Sequence, residues 1–482
     1  MSEVIIPGSD GLSSASRLPW LRTSGPGIVT EDGEPVLLRG VGIGGWLNME
    51  NFITGYPATE SAHRAAMRAA LGERRYELFF DSFLTHFFGE QDAVFIASLG
   101  LNCVRIPVNY RHWEDDSRPG EIDARGFAHL DRAIAACAAA GLHVVIDLHA
   151  VPGAQNHHWH SDNPFHRPLF WQHREFQDRA VAWWEAVASR YAGRPEVAGY
   201  NVLNEPADES GGALVDFYRR AVAAIRAVDG RHMLFLDGNR YSREFPGFGE
   251  PFENTVYAVH QYPSPGAADG GPYPGETDGE YVDASVVTAQ FLSMTTYPRE
   301  HGVPVWVGEF GPVYGAGQER DAQRRRLLAD QLDIYEAAGA GWSVWTYKDI
   351  GVQGLVTVPP DSPYLARTAA VRAKKKAVAA DHWGMTTDSM RDVLDPLLAR
   401  FSGEFPRFDP YPWGARKYAE QLVLNICFAE PLSDEFAACF ASASDDELVA
   451  LGACFAFDDC VQNKELCEVV SRPARDAANR DS

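Results

Sequence analysis

Eight short apolar runs recur along this chain, and their order limits the folds open to it. They fall at 36–41, 102–107, 143–148, 198–204, 233–237, 255–260, 303–309 and 341–346. Runs of this length, rich in Val, Ile and Leu, are too short for helices and read as strands buried on both faces. Between them lie segments of helical periodicity, such as 126–140, 176–192, 215–228 and 321–338, with Gly141 and Gly339 where helix C-termini are expected. Strand–helix alternation repeated eight times predicts the α/β class and a (β/α)8 TIM barrel. The competing doubly wound sheet calls for a phosphate loop after its first strand. Gly42-Ile43-Gly44-Gly45 is glycine-rich, but Trp46 and Asn48 follow it rather than a helix N-terminus.

The flanks add smaller elements. Apolar runs at 27–30 and 35–38 enclose Glu31-Asp32-Gly33-Glu34, which predicts an N-terminal β-hairpin. The stretch 159–172, rich in His, Pro and aromatic residues, follows the third strand and is expected as a loop on the barrel's C-terminal face. An insertion after strand eight contains Arg372-Ala373-Lys374-Lys375-Lys376, which reads as a solvated helix face. Residues 433–470 place Cys, Phe and Leu at helical spacing, so a C-terminal helical extension is expected over 429–482. The barrel, hairpin and insertion then occupy 1–428. The tail after Arg472 is polar and reads as disordered.

Catalytic groups of a barrel come from the C-terminal ends of its strands. Those ends carry Arg105, His149, Asn204 with Glu205, His260 with Tyr262, Glu309, and Trp345. Glu205 and Glu309 each close a buried apolar run, where an unpaired carboxylate is costly. Two such carboxylates suggest cleavage of a glycosidic bond: one stays protonated to serve the leaving oxygen, and the other stays ionised to meet the anomeric carbon. Arg105 would lower the pKa of one carboxylate, and burial would raise that of the other. His149, Asn204 and His260 suit hydrogen bonds to sugar hydroxyls or to a carboxylate. Trp345 offers a flat face to a pyranose. The cluster His157, His158 and His160 is read as a lid or leaving-group loop rather than as metal ligands, because neither carboxylate nor Cys stands at ligand spacing.

Charge and cysteines narrow the partners. A formal net charge of -23 argues against nucleic acid and anionic membrane surfaces. The seven cysteines include no CxxC pair, so neither a disulfide framework nor a structural zinc is expected. Residues 1–8 show no basic segment leading into an apolar run, and no stretch reads as a membrane span. The expected location is cytoplasmic, with small glycosides as substrates. No cofactor or metal is called for, and the oligomeric state is left open.

In combination these motifs are similar to glycoside hydrolase family five, the cellulase-like retaining β-glycosidases. The resemblance runs from about Leu37 to Thr346 through Arg39-Gly40-Val41-Gly42-Ile43-Gly44-Gly45-Trp46-Leu47, Val104-Arg105-Ile106-Pro107, Asp147-Leu148-His149, Asn204-Glu205-Pro206, His260-Gln261-Tyr262, Gly308-Glu309-Phe310-Gly311 and Trp345. It implies Glu205 as acid/base and Glu309 as nucleophile. It also implies a central sugar subsite lined by Arg105, His149, Asn204, His260 and Tyr262. The opening motif resembles the exo-β-1,3-glucanase branch, where a glutamate in the place of Glu50 holds hydroxyls of the terminal sugar. The expected activity is an exo-acting, retaining β-glucosidase. A β-mannosidase, a diglycosidase or transglycosylase of the same fold, and a non-catalytic carbohydrate-binding barrel are the alternatives.

Overall fold

The computed structural model describes residues 18–480 apart from 264–270, 278, 381–382 and 384–385. Residues 1–8, and the last two of the tail, lie outside the described residues. Eight parallel strands close into a barrel: β1 (Arg39–Gly42), β2 (Cys103–Asn109), β3 (His143–Ala150), β4 (Val197–Asn201), β5 (Met233–Asp237), β6 (Thr255–Gln261), β7 (Val305–Phe310) and β8 (Gly341–Val344). Each pairs with its sequence neighbour, and β8 pairs with β1. Every predicted strand is present. Helices Phe127–Ala139, Arg174–Tyr191, Ala213–Val228 and Gln318–Ala338 stand where periodicity places them, and Gly339 caps the last at a φ of 65°.

Period-two alternation explains how the barrel is filled. Inward positions near the strand starts are apolar: Cys103, Val145, Ala198, Phe235, Val256, Ala258 and Trp306 form one buried cluster. Leu21, Ile28 and Leu38 belong to the same cluster. They come from the N-terminal segment, where the expected hairpin is part of a three-stranded antiparallel sheet (Leu21–Ser24, Gly27–Thr30, Pro35–Val36). This sheet plugs the barrel's floor. Two residues further along β2, β3, β5 and β6 the inward positions turn polar: Arg105, Asp147 and Asp237 are fully buried, and His260 is nearly so. The site therefore lies above an apolar plug, at the C-terminal ends of the strands.

Two expectations about the periphery are corrected. The basic run is not wholly solvated: helix Pro363–Ala377 buries Lys375, whose ammonium donates to the carbonyls of Asn51 (3.0 Å) and Tyr56 (2.7 Å). Those carbonyls flank a four-residue helix, Asn51–Thr54, so the ammonium ties the two ends of that turn together. The polar tail is not irregular: helix Lys464–Arg480 packs on Gln318–Ala338, with Leu466 and Val470 buried and Arg472 paired to Asp333 at 2.6 Å.

The other C-terminal helices also rest on the barrel's outer shell. Glu430–Ala441 lies against Glu60–Leu71, and Asp445–Ala453 lies against Glu73–Phe87. Phe440 meets Phe79 at 5.2 Å and Phe455 meets Phe83 at 5.0 Å between ring centres. Strand Val461–Gln462 pairs with Val356–Thr357 from the insertion after β8. Gly452 marks the closest approach: a Cβ there would lie 2.8 Å from the Phe83 nitrogen and 2.9 Å from the Phe79 carbonyl oxygen. Those are backbone atoms and cannot swing aside. Gly452→Leu is expected to destabilise the protein by roughly 1–3 kcal/mol, read as a lower thermal midpoint; an unchanged midpoint would show that this docking is not tight.

Candidate active site

Two β-bulges aim the polar strand ends. Between β2 and β3 the register passes from Val108↔Leu148 to Asn109↔Ala150, leaving His149 as the extra residue. Between β7 and β6 it passes from Val307↔Val259 to Glu309↔His260, leaving Gly308. A bulge re-aims the side chains beside it. Gly308 also makes room, since a Cβ there would lie 2.8 Å from Nε2 of His260.

Arg105 sits at the centre, fully buried. Its guanidinium donates to Glu309 Oε1 (2.6 Å), to Asn204 Oδ1 (2.6 Å) and, through Nε, to Asn201 Oδ1 (3.0 Å). Nη2 also lies 3.0 Å from Asp147. Burial works against its charge, but Asp147 and Glu309 outweigh it and raise the pKa further. The second oxygen of Glu309 accepts from the Tyr262 hydroxyl at 3.2 Å. Glu309 is thus oriented at both oxygens.

Glu205 is held differently. Its φ of 44° lies in the left-handed region, which a residue bearing a side chain rarely adopts. The surroundings impose that shape: the Glu205 N–H donates to Asp237 Oδ2 (3.0 Å), and Asn156 Nδ2 donates to the Glu205 carbonyl (3.0 Å). Gln155 bonds the carbonyls of His149 and Asn204 in the same way, so the turn around Gln155-Asn156 serves as a brace. The carboxylate meets His260 Nδ1 at 2.8 Å and His160 Nε2 at 3.1 Å. Burial pushes its pKa up, as anticipated, yet hydrogen bonds from the two imidazoles prevail and hold it well below the usual carboxylate range. The expectation that burial decides is corrected here. His260 is shifted the other way: burial opposes, but Glu309, Asp237 and Glu205 raise its pKa. The proton of this cluster rests on imidazole rather than on Glu205.

His149 is a second buried cation. Asp147, 2.7 Å from Nδ1, overcomes the burial penalty and raises its pKa to about 10. Its Nε2 is 3.6 Å from Glu50, and its ring stacks on Trp345 at 5.6 Å and 6°. The glycines after β1 now have a reason. A Cβ on Gly42 or Gly44 would come within 2.7 Å and 2.4 Å of the Trp345 ring. The glycine-rich stretch seats an indole rather than a phosphate.

A cavity of about 460 Å³ opens above these groups. Glu50, Glu205, His260, Tyr262, Glu309 and Trp345 line it. Arg105, His149 and Asn204 do not; they lie one layer below and hold the groups that do. The expectation that all line the subsite is corrected in that sense, because inward side chains at those strand positions are roofed by the residues they bind.

The cavity also has walls that the strand-end reading missed. One side carries Phe52 and Trp383, the latter 5.2 Å from the Tyr262 ring. The other carries His158, Trp159, His160, Tyr241, Arg243, Trp413, Lys417 and Gln421. The His/Trp cluster had pointed to a lid. Trp383, Trp413, Lys417 and Gln421 come from the insertion, where isolated tryptophans among polar residues were the available signal. Glu205, His260 and Glu309 place one donor atom each within 4.8 Å of one another, a set that could ligate a cation. Arg105 already supplies positive charge to Glu309 there.

Residues 74–351 match the model of "Cellulase (glycosyl hydrolase family 5)". The chain is 42% identical over 473 residues to a protein of Phanerodontia chrysosporium called beta-xylosidase, covering 94% of this chain and 98% of that one. It is 30% identical over 357 residues to a probable glucan 1,3-beta-glucosidase A of Aspergillus fumigatus, covering 66% and 84%. Among solved structures, one titled as a glycoside hydrolase aligns with a TM-score of 0.51 at 21% identity over 66% of this chain and 90% of that one. That likeness concerns the fold. With a matching family model over most of the barrel and both glutamates at its C-terminal face, this chain belongs to glycosyl hydrolase family 5.

Proposed function

We propose that the protein is a retaining, exo-acting β-glycosidase that removes a terminal β-glucosyl unit from small glycosides. One observation carries the reading: a carboxylate oxygen of Glu205 and one of Glu309 lie within 4.8 Å of each other, with His260 between them. Retaining enzymes hold their carboxyl groups about 5–5.5 Å apart, whereas inverting ones leave about 6.5–9.5 Å for a water. Glu309, fixed by Arg105 and Tyr262, attacks the anomeric carbon and forms a glycosyl ester. Glu205 protonates the departing oxygen, then takes a proton from water as the ester is hydrolysed. The 2.8 Å contact to His260 Nδ1 supplies the first proton, and neutralising Glu309 removes one of the charges that keep it on His260.

Glu50, buried beside Phe52, Trp345 and Trp383, supports exo action, because a carboxylate at that end accepts from the hydroxyls of a terminal sugar. The relative called beta-xylosidase makes a terminal β-xyloside the second reading. We also propose a cytoplasmic site of action, which cell fractionation would test.

Nitrophenyl β-glucoside is expected to be cleaved more efficiently than the β-xyloside, β-mannoside or β-rutinoside; a higher kcat/KM on the xyloside reverses the first two readings. Glu309→Ala is expected to lower kcat by at least about three orders of magnitude. Added azide should then give the α-glucosyl azide, detected by NMR; wild-type turnover in this variant would overturn the assignment. His160→Ala removes a bond to the ionised form of Glu205, so the Glu205 pKa rises. The group acts protonated in the first step, so the basic limb of kcat/KM should move to higher pH. A limb that stays or moves down would contradict this role.

A further inference from the structure

The cavity wall beyond Glu205 carries a charge that this mechanism leaves unused. Arg240, Tyr241 and Ser242 have φ values of 54°, 61° and 58°, three consecutive left-handed residues. Such conformations persist only where the surroundings over-determine them. Here the Tyr241 N–H donates to the Pro206 carbonyl (3.1 Å), the Ser242 hydroxyl to Asp237 (2.6 Å), and the Asn239 amide to the Asp208 carbonyl (2.9 Å). The turn delivers Tyr241 and Arg243 to the cavity.

Arg243 is half-buried. Among the described residues its guanidinium has no hydrogen-bond or ion-pair partner; Arg240, Glu205 and Glu244 are its charged surroundings. Burial, with Arg240, pulls its pKa below the ordinary value. Other sheltered arginines meet carboxylates, as Arg64, Arg105 and Arg179 do, or backbone carbonyls, as Arg132, Arg226 and Arg372 do. Beside Arg243 stand Trp413, 5.3 Å from the Tyr241 ring, and Lys417, paired with Glu420 at 3.0 Å. The wall offers flat rings next to cations in a chain of net charge -23.

We infer that this wall is a leaving-group subsite for a flat ring bearing an anionic substituent, such as a carboxylate, with Arg243 as the residue that pairs with it. Guanidinium suits planar anions because its N–H groups form a matching fork. Aromatic neighbours suit the ring. The inference rests on the proposed reading only in placing the leaving group on the Glu205 side.

Two measurements test it. The first compares 4-carboxyphenyl β-glucoside with its methyl ester in wild type and in Arg243→Gln. The ratio of kcat/KM, acid over ester, should fall at least about tenfold in the variant, the scale of one charge-assisted contact. The second needs no glycone: 4-hydroxybenzoate and methyl 4-hydroxybenzoate are titrated against the protein, following tryptophan fluorescence. The acid should bind more tightly to wild type, and rising salt should weaken the acid but not the ester. Equal binding of acid and ester to wild type, or a ratio within twofold of wild type in Arg243→Gln, overturns the inference. If the acid binds through Arg243 and neither glucoside is cleaved, the glycone reading fails and this one stands.

Discussion

A single buried guanidinium organises the catalytic end of the barrel. Arg105 joins β2 to Asp147 on β3, to Asn201 and Asn204 at the end of β4, and to Glu309 on β7. Taking such a cation out of water costs several kcal/mol, and only well-placed partners offset it. Here every direction of the fork is met. Removing Asp147 or Glu309 would leave buried charge uncompensated, and removing either amide would leave a buried N–H unpaired, so the four contacts act as a unit. The strands that meet at Arg105 include those that end in Glu205 and Glu309.

The two glutamates differ because their donors differ. Glu309 receives hydrogen bonds from a permanent cation and a phenol, neither of which releases a proton near neutral pH. Glu205 instead meets imidazoles, His260 Nδ1 at 2.8 Å and His160 Nε2 at 3.1 Å. Asp237 links the halves of this arrangement: it fixes the Glu205 backbone, accepts from Asn201, and stands 3.5 Å from the far nitrogen of His260. One carboxylate is thereby held by a guanidinium and a phenol, and the other stands against imidazole.

Much of this was readable along the chain, and the limits are physical. The short apolar runs marked the strands, so Arg105, His260 and Glu309 could be found as the polar residues at their ends. The bulges at His149 and Gly308 could not, because an extra residue appears only when two strands are paired. Burial of a carboxylate is legible in a hydrophobic run; the imidazoles that reverse its effect on Glu205, His260 on β6 and His160 on the loop after β3, come from other parts of the chain and not from the local sequence. Lys375 looked solvated because its carbonyl partners, Asn51 and Tyr56, lie far away in the chain. The tail after Arg472 looked too polar to order, yet it forms the last turns of helix Lys464–Arg480, only one face of which meets the barrel.

The insertion after β8 supplies Trp383, Trp413, Lys417 and Gln421 to the cavity. Synthesis runs from the N-terminus, and folding begins before it ends. All eight strands can therefore leave the ribosome while one flank of the cavity is still unmade. Glu205 and Glu309 can come together early, and the wall built by the insertion arrives late. During that interval a nascent barrel would hold Glu205 and Glu309 open to bulk water on that flank, and the cavity takes its enclosed shape only once the insertion has docked.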